Sequence, residues 1–205
     1  MEKKVKNQWI KSIFFSNFFL VLISLALNFE TSIKIGIPFN LFEYYIFVSS
    51  LTILFYLYAY RISKKLKSST NLRTQFYIDN RKIVKLLTYL LIVICTISGV
   101  ILAKKSLPNL DMIPQKWFIV LLVTGILAFG YYDFKFGISL RKTMLLKPFL
   151  IGWTWAVTTV FFPILFLILE NRVCFHIDAK FYFLFSQTFM YCVVNAILFD
   201  LKDYE

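Results

Sequence analysis

Residues 83–103 read IVKLLTYLLIVICTISGVILA, with Lys85 as the single charge. A stretch this long and apolar matches the ~17–25 residues that cross a bilayer as a helix. It exceeds what a strand or a half-buried helix of a water-soluble domain needs. Five further stretches repeat the pattern. The predicted spans are Ile13–Phe29, Phe39–Tyr60, Ile83–Ala103, Trp117–Tyr132, Phe149–Leu169 and Phe181–Phe199, the fourth extendable to Phe134.

The whole chain supports that reading. Of 205 residues 59% are hydrophobic and 20% aromatic, with 24 Phe and 12 Tyr, and mean hydropathy is +0.70. Ordinary soluble domains carry about 45–50% apolar residues. The expected fold class is all-α: one polytopic transmembrane helix bundle of about six spans over residues 1–205. The start, with basic residues ahead of an apolar run holding Ser16 and Asn17, reads as a span rather than a cleaved leader.

Net charge is +12, from 23 Lys+Arg against 11 Asp+Glu. The cations sit between apolar stretches and form no basic stripe on a soluble fold, so nucleic acid is not an expected partner. They are instead unevenly shared between two sides. One side takes Lys3, Lys4, Lys6 and Lys11, then Arg61, Lys64, Lys65, Lys67, Arg73, Arg81, Lys82 and Lys85, then Lys135, Arg141, Lys142 and Lys147, and finally Lys202. The other has only Lys34, Lys104, Lys105, Lys116, Arg172 and Lys180. Lysine and arginine concentrate in cytoplasmic loops, so both termini are expected in the cytoplasm of a cell-membrane protein. Trp9, Tyr44, Tyr45, Tyr58, Tyr60, Trp117, Tyr131 and Tyr132 fall near span boundaries, where such rings favour the headgroup region. Pro163 lies inside span five and predicts a kink there.

Cys95, Cys174 and Cys192 have no CxxC spacing and suggest neither a disulfide framework nor a metal site. His176 reads as a solvated loop histidine. The sequence has no P-loop, dinucleotide glycine pattern, Ser/His/Asp set or HExxH motif. It also lacks the internal repeats a small transporter would show, which ranks that function last.

Chemistry is best sought in the last eleven residues, Asn195-Ala-Ile-Leu-Phe-Asp-Leu-Lys-Asp-Tyr-Glu205. Asp200 and Asp203, three apart on a helix, share a face. Carboxylates at a helix C-terminus oppose its dipole by ~0.3–1 kcal/mol each when exposed, and a bound cation removes that cost. Two carboxylates with substrate phosphates are a usual Mg²⁺ arrangement. Basic residues after span two, Arg61 among them, suit a phosphate. Asn195, inside span six, predicts an interhelical hydrogen bond, with a site role behind it.

This ending resembles the second aspartate-rich motif of UbiA-type intramembrane prenyltransferases, which follows the sixth span on the cytoplasmic side. The stretch from Leu140 to Ala156, LRKTMLLKPFLIGWTWA, continuing to Pro163, looks like that family's segment entering span five. The resemblance covers most of the chain in span order and corresponds to the first six of nine spans. It implies a helical bundle that joins an isoprenoid from its diphosphate to a lipophilic or aromatic acceptor. Asp200 and Asp203 would hold Mg²⁺ through the diphosphate, and Asn195, Lys202, Arg141 and Arg61 would contact substrate. The family's first aspartate motif should close span two, where residues 56–65 read YLYAYRISKK without a carboxylate. The expectation is therefore an incomplete or catalytically reduced relative. The alternative is a non-catalytic membrane protein that binds lipid or a partner.

Overall fold

In a computed structural model, residues 17–62, 72–131, 146–170, 172 and 177–202 are described; the side chains of 58–62, 72–74, 129 and 199–202 lie outside that description. The described residues are mostly helical, and none of them forms a strand. The helices are α1 (Phe18–Ile35), α2 (Phe42–Ile62), α3 (Leu72–Asp79), α4 (Arg81–Ser106), α5 (Gln115–Tyr131), α6 (Leu146–Ala156), α7 (Phe162–Leu169) and α8 (Ala179–Lys202). A 3-10 turn, Leu107–Met112, follows α4, and a π-helical turn, Val157–Phe161, joins α6 to α7. Among the described residues four stretches are long and apolar enough to cross a membrane: Phe18–Ile35, Arg81–Met112, Leu146–Leu169 and Ala179–Leu198. Phe42–Leu57 and Gln115–Ala128 are apolar but shorter.

The first helix departs from expectation. It continues six residues past the predicted end at Phe29, to Ile35. The polar residues Glu30, Thr31, Ser32 and Lys34 hide this continuation from a hydropathy reading. Glu30 and Lys34 pair at 2.6 Å one turn apart, while Thr31 and Ser32 are buried. Gly36 then ends the helix with φ 79°, and the Ile37 and Gly36 amides both donate to the Ser32 carbonyl. A left-handed glycine closing a helix in this way needs no Cβ.

Chain contacts define two compact units, one of Met1–Ala26 with Leu41–Ala103, the other of Leu27–Asn40 with Lys104–Glu205. In the first, α3 packs through Phe76 and Tyr77 onto Ile53, Leu54, Leu57, Val84 and Leu91. The sequence reads this stretch only as a polar segment, because among its described side chains Phe76 and Tyr77 carry the docking. Asn17, held at φ 64°, donates from Nδ2 to the Tyr77 hydroxyl at 2.9 Å. Asparagine tolerates that left-handed geometry better than other side chains. Gly99 of α4 lets the Phe47 ring of α2 approach closely.

The second unit is built around α6, the π turn and α7. Gly152 brings α6 against α8, where an added Cβ would stand 2.5 Å from Val193 Cγ2 and 2.9 Å from the Phe189 carbonyl oxygen. Close backbone approach at small residues is the usual way membrane helices gain packing. Trp117 stacks at a tilt on Phe161, centroids 4.7 Å apart. Val157, Val160, Ile164, Leu165, Ile168 and Leu184 complete the same apolar cluster.

Candidate functional site

Several polar side chains of the apolar helices point inward. On α1, Ser24, Asn28, Thr31 and Ser32 are no more than 1% exposed. They recur at three- and four-residue intervals and so share a face. Phe18, Phe19, Leu22 and Ile33 of the same helix are exposed. On α4, Ser98 is buried while Ile97, Val100 and Ile101 are exposed. Such a distribution is the reverse of a water-soluble helix and suits an apolar surrounding.

The π turn shows what one of these buried polar groups does. Pro163 has no N–H, so the Thr159 carbonyl loses its i+4 donor. The Phe162 amide reaches back five residues to the Val157 carbonyl, and Thr31 Oγ1 donates to the Thr159 oxygen at 2.7 Å. The helix thus absorbs the proline by a π turn and borrows a donor from α1. Both are recognised remedies for proline in membrane helices. Trp153, for which the sequence favours packing or interface anchoring over substrate contact, donates to Thr124 Oγ1 at 3.0 Å and meets Phe185 edge-on. Its role is packing.

The predicted site residues fall as follows. Arg141 and Asp203 lie outside the described residues, as do Cys174 and His176. Arg61 stands in the last turn of α2; Asp200 and Lys202 stand in the last turn of α8, their side chains outside the description. Asn195 is described, and its amide donates to the Tyr191 carbonyl of its own helix at 2.8 Å. At i−4 that carbonyl is the nearest acceptor on the same face. Among the described residues no group of three or more His, Cys, Asp or Glu gathers as a metal would require.

A second polar group lies in the second unit, where Arg172 reaches Phe39 and Asn109 reaches Leu169. Asn109 Nδ2 donates to the Leu169 carbonyl at 2.6 Å, and the Arg172 amide donates to the Leu167 carbonyl. Together they cap the end of α7, whose last carbonyls have no helical partner. Arg172 Nη1 donates to the Phe39 carbonyl at 2.9 Å and stands 3.8 Å from Glu170 Oε2. The Glu170 side chain is 3% exposed, against 34% for Arg172. Asn40, next to Phe39 in the chain, and Ser106, three residues before Asn109, are also buried. Both polar atoms of Asn40 and the Ser106 hydroxyl meet no hydrogen-bond partner among the described residues.

No family model, curated protein or solved structure matches this chain.

The chemistry of the site therefore has to be read from its own groups. A buried carboxylate is costly unless it is paired and hydrogen-bonded. Glu170 also sits at the C-terminal end of α7, where the helix dipole disfavours a negative charge. The sequence reading missed it because a single acid at the end of an apolar run looks like a helix exit. Asn40 lies at the start of the predicted span Phe39–Tyr60, where a lone amide gives no signal of burial. The available signal was the sequence Glu170-Asn-Arg172, a charge pair two residues apart at the end of a span.

Proposed function

We propose that this protein is a six-span constituent of the cell membrane with both termini in the cytoplasm, and that it binds an isoprenoid diphosphate at the cytoplasmic end of α8. The observation that carries the membrane reading is the inverted polarity of α1 and α4, apolar outside and polar inside. In the bilayer the cost of exposing Ile, Leu and Phe vanishes, while unpaired polar groups are driven inward. The six-span count rests on adding the two shorter apolar helices to the four long stretches. Orientation rests on the excess of Lys and Arg around the ends at 61–85 and 135–147.

The diphosphate reading rests on the resemblance of the C-terminal segment to UbiA-type prenyltransferases. It is also supported by the continuation of α8 through Lys202, which carries Asp200 beyond the apolar stretch. Asp200 and Asp203 fit Mg²⁺ in kind, as hard oxygen ligands at a helix end. Bound there, the ion would shield the diphosphate charge. Lys202, Arg61 and Arg141 would add charge-assisted hydrogen bonds to phosphate oxygens. The missing carboxylate in 56–65 leaves the other half of the family's metal site unbuilt, so transfer to a lipophilic acceptor is reduced or lost while binding persists. The same absence favours the second reading, a purely non-catalytic lipid-binding bundle.

A titration of geranyl diphosphate onto the purified chain separates the two. Binding that tightens with Mg²⁺ and weakens at least about tenfold in Asp200→Ala, the loss of one charge-assisted contact, supports the diphosphate site. Binding indifferent to both leaves the lipid-binding reading. Reporter fusions within 61–82 on the outer side would overturn the orientation.

A further inference from the structure

Three polar side chains on α1 and α8 face outward. Glu30 and Lys34 pair at 2.6 Å with side chains 39% and 45% exposed, and Lys34 Nζ donates to Gln187 Oε1 of α8 at 3.4 Å. Gln187 is itself exposed, as is Ser186 beside it. All lie within stretches long and apolar enough to cross a membrane. Gln187 comes eight residues after the start of α8 at Ala179, roughly 12 Å along the helix axis. Lys34, in the last turn of α1, has a stem long enough to carry its ammonium outward to the headgroups. It turns back to Glu30, one turn deeper. On the same two helices Phe29, Ile33, Phe183 and Met190 are exposed as well. Charges and amides facing lipid tails are costly, and in membrane helices such groups lie against protein or a water-filled cavity.

The pattern of the face selects what covers it. Along α8 the exposed residues Phe183, Gln187, Met190, Val194 and Ile197 alternate at intervals of four and three. A stripe with that spacing is the seam along which two helices pack at a shallow angle, and one amide within it fixes the register. The Gln187 carbonyl oxygen accepts from Lys34, while its Nε2 meets no partner among the described residues. An amide both donates and accepts, so it can pair with its own copy across a two-fold axis. Glu30 and Lys34 are self-complementary in the same sense, because each carboxylate can meet the other copy's ammonium. A partner helix of one charge sign would lose on one of these residues what it gained on the other. Contact between identical surfaces about a two-fold axis requires this kind of complementarity.

We propose that the chain forms a two-fold dimer in the membrane through the exposed face of α8 and the last turns of α1. Gln187 bonds the partner's Gln187 at the seam, and Glu30 and Lys34 pair with the partner's Lys34 and Glu30 beside it. The inference rests on the membrane reading above and is independent of the diphosphate site.

The full chain, labelled at its N-terminus with a donor or an acceptor dye, is reconstituted in phosphatidylcholine vesicles at falling protein-to-lipid ratios. Energy transfer reads the dimer fraction. Gln187→Leu should weaken association about tenfold, the scale of an interhelical hydrogen bond made twice. Leu122→Ala, at an exposed position of α5, should leave it unchanged. Chains with Glu30→Lys and chains with Lys34→Glu should each lose self-association, whereas a mixture of the two should pair, which also shows that both have folded. A wild-type chain that inserts and stays monomeric overturns the inference and leaves lipid as the cover of this face. Dimers indifferent to Gln187→Leu and to both charge changes overturn it too, as does a mixture that pairs no better than either variant alone. A chain that fails to insert into vesicles refutes the membrane reading itself.

Discussion

The α4 stretch, Arg81–Met112, and the stretch from α6 to α7, Leu146–Leu169, are both apolar enough to span a membrane, yet they are used in opposite ways. The first has the higher mean hydropathy, 2.5 against 1.9, and only 17% of its apolar window is buried, against 61% for the second. In water the order would be reversed, because burial follows hydrophobicity. Lipid tails are as apolar as leucine, so hydrophobicity gives a helix no reason to turn towards its neighbours. Burial then follows small residues and hydrogen-bonding groups. The α6–α7 stretch has Gly152, Ala156 and Thr159 buried along it, and α4 has Leu91, Ser98, Leu102 and Ser106.

The strongest way to break this comparison is to place a charge on the exposed face of α4. Val93, near its midpoint, is 55% exposed. Val93→Arg should cost ~2.5–3.5 kcal/mol of insertion free energy, read as a drop in the membrane-inserted fraction. An unchanged fraction would mean that water, not lipid, bathes that face. Next in size is Gly152→Ala. Its new Cβ would collide with Val193 and the Phe189 carbonyl, and overpacking of this kind costs roughly 1–3 kcal/mol. Unfolding in detergent should show the loss, and Gly125→Ala, with open space around it, should not.

A smaller effect sharpens the account of the π turn. Thr31→Val should lose about 1 kcal/mol, within the range for interhelical hydrogen bonds in membranes. In a Pro163→Ala background the Thr159 carbonyl recovers a backbone donor, so the same substitution should cost less. A double-mutant cycle measures the difference, and equal costs in both backgrounds would discard the borrowed-donor explanation. Smallest of all is Tyr77→Phe, which removes the acceptor for Asn17 Nδ2. It should lower the stability of the first unit by roughly 0.5–1 kcal/mol, seen as faster amide exchange in α3.

Much of the helical layout was legible beforehand. The predicted stretches 39–60, 83–103, 117–132, 149–169 and 181–199 each overlap an observed helix, with ends shifted by a few residues. The errors share a cause. The last turns of α1 are polar, and α3 docks by two aromatic residues, so windows that average hydropathy overlook both. Asn195 gives one amide hydrogen to the i−4 carbonyl of its own helix, a local bond that the sequence does not distinguish from an interhelical one. Glu170, Asn40 and Ser106 are ordinary residues in sequence, and nothing local signals that their polar atoms are buried.

The sequence by itself determined that apolar helices build this protein, and where most of them run. Transfer from water to an apolar medium is nearly a sum over residues, and a sum needs no neighbours. Tertiary structure alone decided which face of each helix turns inward and which polar atoms find partners. Those choices depend on shape and on hydrogen-bond geometry between distant segments, as Thr31 at the Thr159 carbonyl shows.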